Sequence, residues 1–139
     1  METLRIGELA REAEVHIETL RFYERKGLLN AARRTEKRYR LYEQDAIARV
    51  RFIKRAQQLG FSLKEVSELL ELKLDHKSKC ADVERRAERK IEEIEHKIES
   101  LKKMRGVLQT LANDCQGAVP STECPILKAF EDPSRRMAR

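Results

Sequence analysis

The sequence has no long apolar run. No stretch approaches the roughly 18 consecutive apolar residues that a membrane-spanning helix needs, and the opening METLRIGELARE lacks the apolar core of a secretory signal. We therefore expect a cytoplasmic protein. Because cytoplasmic thiols stay reduced and the three cysteines are an odd number, a closed disulfide framework is not expected.

Aromatic residues, glycine and proline are also scarce. Aromatic residues make up 5% of the 139 positions and charged residues 39%, with 5 glycines and 3 prolines. This composition is typical of a mostly helical chain that has little core per residue and gains burial by associating with a second copy. The length predicts one modest domain, or a small domain with an extension.

Signatures of catalysis are missing as well. The sequence has no Gly-rich phosphate loop, no Ser/His/Asp pattern and no pair of catalytic carboxylates in an apolar setting. We therefore predict that the protein is not an enzyme.

The sequence does contain a concentration of positive charge. The net charge of the whole chain is +6, but residues 21–55 alone carry +8, from twelve Lys/Arg against four Asp/Glu. Residues 1–20 carry −3 and residues 56–139 carry about +1. A basic segment between such flanks is typical of a phosphate-binding surface, although a solvated basic face without a partner has the same composition.

Two short helices are predicted at the start of the chain. Apolar residues recur at helical spacing over residues 6–13, and residues 13–15 suit a tight turn. Residues 16–26 predict a second helix, which Gly27 would end. Such a pair is the pattern of a helix-turn-helix, although many helical domains contain similar pairs.

The next segment, RRTEKRYRLY at residues 33–42, mixes basic residues with tyrosines. Its alternation around Tyr39 and Leu41 predicts a short β-ribbon, or wing. Arginine forks and a phenol hydroxyl suit the phosphates of a DNA backbone, whereas the alternative is a surface hairpin whose tyrosines pack on the domain. We favour DNA because the ribbon directly follows the second helix.

Two more helices are predicted after the ribbon. One covers about residues 43–59 and ends at Gly60. The other begins at a capping box formed by Ser62 and Glu65 and runs to about Leu72.

The longest predicted helix spans residues 81–112. A helix of about 31 residues is roughly 45 Å long, which exceeds the width of a domain the size of the N-terminal part. Its apolar residues alternate at three- and four-residue spacing, as in a coiled coil, so a partner helix from another chain is favoured over packing on its own domain. The seam residues are Ile91, Ile94, Ile98, Leu101, Leu108 and Ala112.

Three cysteines lie at the two ends of this helix. Cys80 and Cys115 are 35 residues apart, about 50 Å along a helix, so they cannot share a metal within one protomer. An antiparallel dimer would bring Cys80 of one protomer beside Cys115 of the other, and the loop with Gly117 and Pro120 can fold Cys124 back. The pattern predicts two symmetric three-thiolate sites for a soft metal, each spanning the dimer interface.

Two other interpretations of the cysteines stay open. Each could be a small buried core residue, or Cys115 and Cys124 could form the disulfide of a redox switch. The sequence has no CxxC pair, unlike common structural zinc sites.

The three histidines add little to the site. His76 precedes Cys80 by four residues and could supply a fourth ligand, but it is more typical of a solvated linker. His96 lies in the middle of the long helix and is expected to be inert. His16, at the start of the second helix, is placed to approach a phosphate.

These segments resemble the MerR family of transcription regulators. The resemblance is carried by IGELAREAEVHIETLRFYERKGLL, RYRLY, FIKRAQQLGFSLKEVSELL and NDCQGAVPSTECPIL, and it covers nearly the whole chain. The cysteine positions narrow it to the metal-sensing branch, and Cys124 with the following Pro-Ile-Leu is most similar to mercury-sensing members. Lead, cadmium and zinc sensors can share the cysteine spacing, but the extra loop cysteine and histidine of zinc sensors are replaced here by Asp114 or Gln116 and by Val119.

The resemblance implies a homodimer on a pseudo-palindromic promoter operator. Such a regulator represses without metal, and with Hg(II) bound it distorts the DNA so that RNA polymerase reads a mercury-resistance operon. The alternatives are Pb(II), Cd(II) or Zn(II) as the effector, or a thiol redox response on the same scaffold. The implied metal ligands are Cys80 of one protomer and Cys115 and Cys124 of the other. The residues expected to contact DNA are His16, Thr19, Arg21, Tyr23, Tyr39 and Arg40.

Two positions depart from the family pattern. Glu14 stands in the turn of the helix-turn-helix and Arg38 in the wing, where the family often has glycine. Glycine tolerates a positive φ that other residues adopt only at a cost, so these departures bear on turn geometry and DNA contact and leave the expected fold unchanged.

We therefore expect a mainly α protein with four parts. Residues 1–75 would form a winged helix-turn-helix DNA-binding domain. Residues 76–112 would form a linker and a long antiparallel coiled-coil dimerisation helix. Residues 113–131 would form a metal-binding loop and a short helix, and residues 132–139 a disordered tail.

Overall fold

The computed structural model describes residues 3–31, 33–37, 39–115 and 117–132. The chain divides into two compact units, and the boundary along the sequence falls between Glu84 and Arg85. The first unit holds four helices and a small sheet, and the second holds most of a long helix and the C-terminal segment. The disorder predicted for the tail falls outside the described residues beyond residue 132.

The chain begins with the predicted helix-turn-helix. Helix α1 spans Ile6–Ala13 and helix α2 spans Ile17–Arg25. The turn between them is closed by a backbone hydrogen bond of 2.9 Å from the Val15 N–H to the Ala10 carbonyl. As predicted, Gly27 follows the end of α2 with a positive φ of 76°.

Glu14 forms the turn in the left-handed conformation, with φ 58° and ψ 47°. This backbone is one that glycine adopts freely, and a residue with a side chain adopts it at a cost of about 1 kcal/mol. The Lys54 ammonium group donates a hydrogen bond of 2.9 Å to the Glu14 carbonyl and helps to hold the turn. The other departure from the family pattern, Arg38, lies outside the described residues.

The predicted wing is part of a three-stranded antiparallel sheet. Strands β1 (Leu4–Arg5), β2 (Arg33–Arg34) and β3 (Arg40–Tyr42) are arranged in the order β1-β3-β2. In the wing Arg34 pairs with Arg40, and β1 adds Leu4 opposite Tyr42. The wing is therefore confirmed, whereas β1, which anchors it to the start of the chain, was not predicted.

Two further helices complete the first unit. Helix α3 spans Asp45–Gln58 and helix α4 spans Leu63–Leu74. The predicted capping box is present, since Ser62 Oγ accepts from the Glu65 N–H and the Glu65 carboxylate accepts from the Ser62 N–H. The most deeply buried side chains come from both helix pairs and from the sheet: Leu9, Leu20, Leu29, Tyr42, Val50, Ile53 and Val66.

Helix α5 spans Cys80–Asp114, one residue longer at its start and two at its end than predicted. Five residues of its predicted seam and the neighbouring Met104 are open to solvent in the single chain, between 39% and 61% exposed. These residues are Ile91, Ile94, Ile98, Leu101, Met104 and Leu108. A short 3₁₀ turn at Ser121–Glu123 leads into helix α6, Pro125–Glu131. None of the helices in the described ranges is both long and apolar enough to cross a membrane.

Candidate nucleic-acid interface and thiol site

The first unit carries a basic cleft of about 500 Å³ between α2 and the wing. Side chains from α1, α2, β2 and β3 meet there because the antiparallel sheet brings the wing beside the start of the chain. Four of the lining residues are arginines. The lining residues are Ile6, Arg21, Glu24, Arg25, Arg34, Tyr39 and Arg40. Guanidinium groups on several elements around one cleft suit a phosphate backbone.

Helix α2 presents three of the residues that the sequence predicted to contact DNA. His16 is the exposed residue that precedes the helix, and Thr19 is half-buried in its first turn. Arg21 is half-exposed and pairs with Glu18 at 2.7 Å, an arrangement that leaves its other donors free to face solvent. Leu20, which is fully buried, holds the opposite face of the helix against the core.

Tyr23 is placed differently from the other predicted contacts. It is only 3% exposed, and its hydroxyl donates a hydrogen bond of 2.9 Å to Gln57 Oε1. Burial raises the pKa of its phenol. This position argues against a contact between the Tyr23 ring and DNA and gives the residue a packing role between α2 and α3.

The wing presents Tyr39 and Arg40. The Tyr39 ring is 54% exposed, and the Arg5 guanidinium lies over it at 5.2 Å from the ring centre. The Arg40 guanidinium is half-buried and forms an ion pair of 3.3 Å with Glu24. Arg5 was missed by the sequence analysis because it lies outside the basic segment and joins the wing only through the pairing of β1 with β3.

The second unit holds Cys115 and Cys124 on either side of the C-terminal loop. Cys115 follows the end of α5, and Cys124 is the residue that caps the start of α6. The pKa of the Cys124 thiol is lowered, chiefly by the backbone N–H groups of Leu127 and Ile126 at the start of α6 and to a smaller extent by the Cys115 thiol, against the opposing effect of partial burial. The contribution of Cys115 agrees with the predicted folding back of the loop, which stays a prediction, and the start of α6 makes Cys124 prone to ionise.

Cys80 lies at the other end of α5, where it is exposed as the first helical residue. A helix of 35 residues is about 50 Å long. Within the described part of the chain, no three His, Cys, Asp or Glu side chains converge on a point that could hold a metal ion. His76 and His96 are both exposed, and the possible role of His76 as a ligand stays a prediction.

The lowered pKa of Cys124 predicts a specific pH dependence of its alkylation. Because the folded chain stabilises the thiolate, iodoacetamide should label Cys124 at a lower pH in the native protein than in the protein unfolded in guanidinium chloride. Mass spectrometry of the labelled peptide over a pH series measures both midpoints. Coincident midpoints, or a native midpoint above the unfolded one, would contradict the assignment of the α6 N–H groups to this sulfur.

Comparisons with known proteins agree with this architecture. The model of the MerR HTH family regulatory proteins matches residues 4–73, and the model described as "MerR, DNA binding" matches residues 47–111. A mercuric resistance operon regulatory protein of Bacillus cereus is 44% identical over 126 residues, which cover 91% of this chain and 96% of that protein. The HTH-type transcriptional regulator ZntR of Escherichia coli K12 is 40% identical over 129 residues, covering 91% and 92%.

Among solved structures, the transcription regulator PbrR691 from Ralstonia metallidurans CH34, in complex with lead(II), superposes with a TM-score of 0.80. It is 33% identical, and the match covers 91% of this chain and 98% of that one. The fold, the family models and the relatives therefore agree over most of the sequence. The chain belongs to the MerR family of DNA-binding transcription regulators.

Proposed function

We propose that the protein is a metal-responsive transcription regulator that binds a promoter operator as an antiparallel homodimer. Without metal it represses, and with Hg(II) it activates a mercury-resistance operon by distorting the promoter DNA for RNA polymerase. The observation that carries this proposal is the pair of Cys115 and Cys124 at one end of a 35-residue helix that begins at Cys80. Two thiols, one of them favoured as a thiolate, are the donors that soft metals prefer.

The basic cleft supports the DNA-binding part. His16, Thr19 and Arg21 on α2, and Tyr39 and Arg40 on the wing, would contact the DNA. We add Arg5 to this set, because its guanidinium lies over the exposed Tyr39 ring. These groups suit contacts with phosphates, which position a protein on DNA, while base edges and DNA deformability supply specificity.

The exposed seam of α5 supports an antiparallel dimer. In an antiparallel pair, residues whose numbers add up to the same total lie opposite each other. Placing Cys80 opposite Cys115 of the partner subunit also places Ile94 opposite Leu101 of the partner subunit and Ile91 opposite Met104 of the partner subunit. The register that completes the thiol site thus also covers apolar side chains that are exposed in the single chain.

The thiols would then act as one site across the dimer. Cys115 and Cys124 of one protomer, with Cys80 of the partner subunit, would hold a soft cation, which would supply bonds that join the two protomers. A ligand shifts a protein between two states only through its different affinity for them. Deforming a short DNA site takes on the order of a few kcal/mol, which a thiolate site can supply in this way.

The identity of the metal rests on similarity. The relative from Bacillus cereus is named for mercuric resistance, which supports Hg(II), and the structural relative PbrR691 is in complex with lead(II), which supports Pb(II) as an alternative effector beside Cd(II) and Zn(II). The contribution of the Cys115 thiol to the lowered pKa of Cys124 also supports a redox response through a disulfide of these two free cysteines as a second candidate function.

Titration of the reduced protein with Hg(II), and separately with Pb(II), Cd(II) and Zn(II), tests the proposal. Thiolate-to-metal ultraviolet absorption is the readout, with Cys80→Ser as the variant and wild type as the reference. We expect tight binding with preference for Hg(II), lost in Cys80→Ser. Weak, unselective binding that Cys80→Ser leaves unchanged would contradict the three-thiolate site and favour the redox candidate.

A further inference from the structure

A single carboxylate lies inside the basic cleft. Glu24 lines it together with Arg21, Arg25, Arg34 and Arg40. Its side chain is 16% exposed, far less than that of Glu18 on the same helix, which is 74% exposed. A negative charge at a phosphate-binding surface repels the phosphates of DNA. It therefore weakens binding unless it holds a group that binds the phosphates in the right position.

Glu24 joins α2 to the wing. Its Oε1 atom accepts a hydrogen bond from Arg40 Nη1 at 3.3 Å and a second one from the Tyr42 hydroxyl. In the described residues, both side-chain hydrogen bonds between α2 and β3 end on this carboxylate. Tyr42 is fully buried in the core, and burial together with Glu24 raises the pKa of its phenol, so the hydroxyl stays protonated as a donor.

The wing itself needs a counter-charge at this point. Arg34 of β2 and Arg40 of β3 are directly paired across the ladder, and like charges at paired positions destabilise a sheet. The Glu24 carboxylate offsets this repulsion at the Arg40 end. It also fixes the direction of a long side chain that would otherwise sample many rotamers.

We propose that Glu24 is a positioning residue for DNA binding, which docks the wing on α2 and aims Arg40 at the DNA backbone. The carboxylate acts through Arg40 and Tyr42 and does not itself contact DNA. The inference rests on the DNA contact proposed above for Arg40. It identifies a residue whose negative charge strengthens the binding of a polyanion.

This role predicts an effect opposite in sign to that of charge alone. Glu24→Gln removes a negative charge, which by itself would tighten DNA binding. If Glu24 positions Arg40, the variant should instead bind about tenfold more weakly, the factor that one charge-assisted hydrogen bond is worth. Glu12→Gln is the charge control, since it removes the same charge from an exposed position of helix α1 whose side chain makes no hydrogen bond to a proposed DNA contact within the described residues, and it should bind as well as wild type or more tightly.

The probe is a DNA duplex selected by the wild-type protein from a random-sequence pool, and binding is measured by fluorescence anisotropy over a salt series. The logarithm of the binding constant falls linearly with the logarithm of the salt concentration. Each phosphate contact that is lost makes this slope shallower by about 0.9. We expect this reduction in both Glu24→Gln and Arg40→Ala. A general loss of stability would lower the melting temperature and leave this slope unchanged well below melting.

The double variant Glu24→Gln/Arg40→Ala completes a double-mutant cycle, which measures the coupling between the two side chains. We expect Glu24→Gln to cost much less in the Arg40→Ala background than in wild type, because the carboxylate then has no arginine to position and keeps only its hydrogen bond from Tyr42. Tyr42→Phe keeps the buried ring and removes only the hydroxyl that donates to Glu24, so it should show a smaller loss of DNA affinity. This variant replaces Glu24→Gln in the test if Glu24→Gln does not fold.

The outcomes separate the two proposals. If Arg40→Ala binds as wild type, the proposed DNA contact of Arg40 is wrong. If Arg40→Ala weakens binding while Glu24→Gln and Tyr42→Phe do not, or if the losses in the double variant simply add, the positioning role of Glu24 is overturned and the Arg40 contact stands.

Discussion

Two variants that each lack part of the proposed three-thiolate site should regain tight metal binding when they are mixed. One variant is Cys80→Ser, and the other is the double variant Cys115→Ser/Cys124→Ser. Each homodimer lacks part of both sites, but a mixed dimer combines Cys80 from one protomer with Cys115 and Cys124 from the other. It therefore contains one complete site, as the closed two-fold symmetry of a dimer requires.

The experiment unfolds and refolds the two variants together under reducing conditions and titrates the mixture with Hg(II). Random pairing makes half of the dimers mixed, so the tight binding capacity should be about a quarter of that of wild type. Each variant refolded alone is the control and should show none. A mixture that binds no more than its components would contradict a site shared between protomers, and tight binding by either variant alone would contradict the three-ligand set.

A charge in the α5 seam is expected to abolish dimerisation. Leu101 is 61% exposed in the single chain and would lie opposite Ile94 of the partner subunit. Leu101→Glu removes two apolar side chains from the interface, about 2 kcal/mol or more for each, which weakens the dimer by roughly 1,000-fold. Since each operator half-site binds one protomer, DNA binding should fall as well.

Analytical ultracentrifugation over a concentration series measures this effect. The matched control is Gln109→Glu, which adds the same charge to an exposed position of the same helix outside the predicted seam. We expect Leu101→Glu to sediment as a monomer with unchanged helical content and Gln109→Glu to sediment as a dimer. A Leu101→Glu variant that remains dimeric would mean that another surface joins the protomers.

Much of the fold could be predicted because its determinants are local. The capping box at Ser62, the glycines after α2 and α3, and the helical spacing of apolar residues in α5 each act between near neighbours in the sequence, and the elements that they predicted were confirmed. The turn at Glu14 also lies where the sequence predicted it, although its backbone is left-handed at a residue that is not glycine. The family match confirms that the chain is a DNA-binding regulator rather than an enzyme.

What could not be predicted depends on contacts between distant segments. Strand β1 has only two residues and no pattern of its own, so its pairing with β3 and the position of Arg5 over Tyr39 emerge only in the folded chain. The burial of Tyr23 and the link from Glu24 to β3 depend in the same way on packing between elements. Counting charges identified the basic segment. It could not distinguish residues that would contact DNA from residues that hold those contacts in position.

For the thiol site, too, the features set by local sequence were predicted and those set by the folded chain were not. The spacing of the cysteines predicted which end of α5 each would occupy and that Cys124 could return to Cys115. The lowered pKa of Cys124 was not predicted, because it depends on where α6 begins and on the direction of its first N–H groups. Completion of the site by a second protomer stays a prediction.

Transcription in vitro tests the central claim most directly. The template is a promoter that carries the operator selected by the protein, and RNA synthesis by RNA polymerase is measured without protein, with apoprotein, and with protein plus Hg(II). The account predicts that apoprotein lowers transcription, that Hg(II) raises it above the protein-free level while the protein stays on the DNA, and that Cys124→Ser represses without responding. Full mercury-dependent activation by Cys124→Ser, or release of the wild-type protein from DNA by Hg(II) without activation, would contradict it.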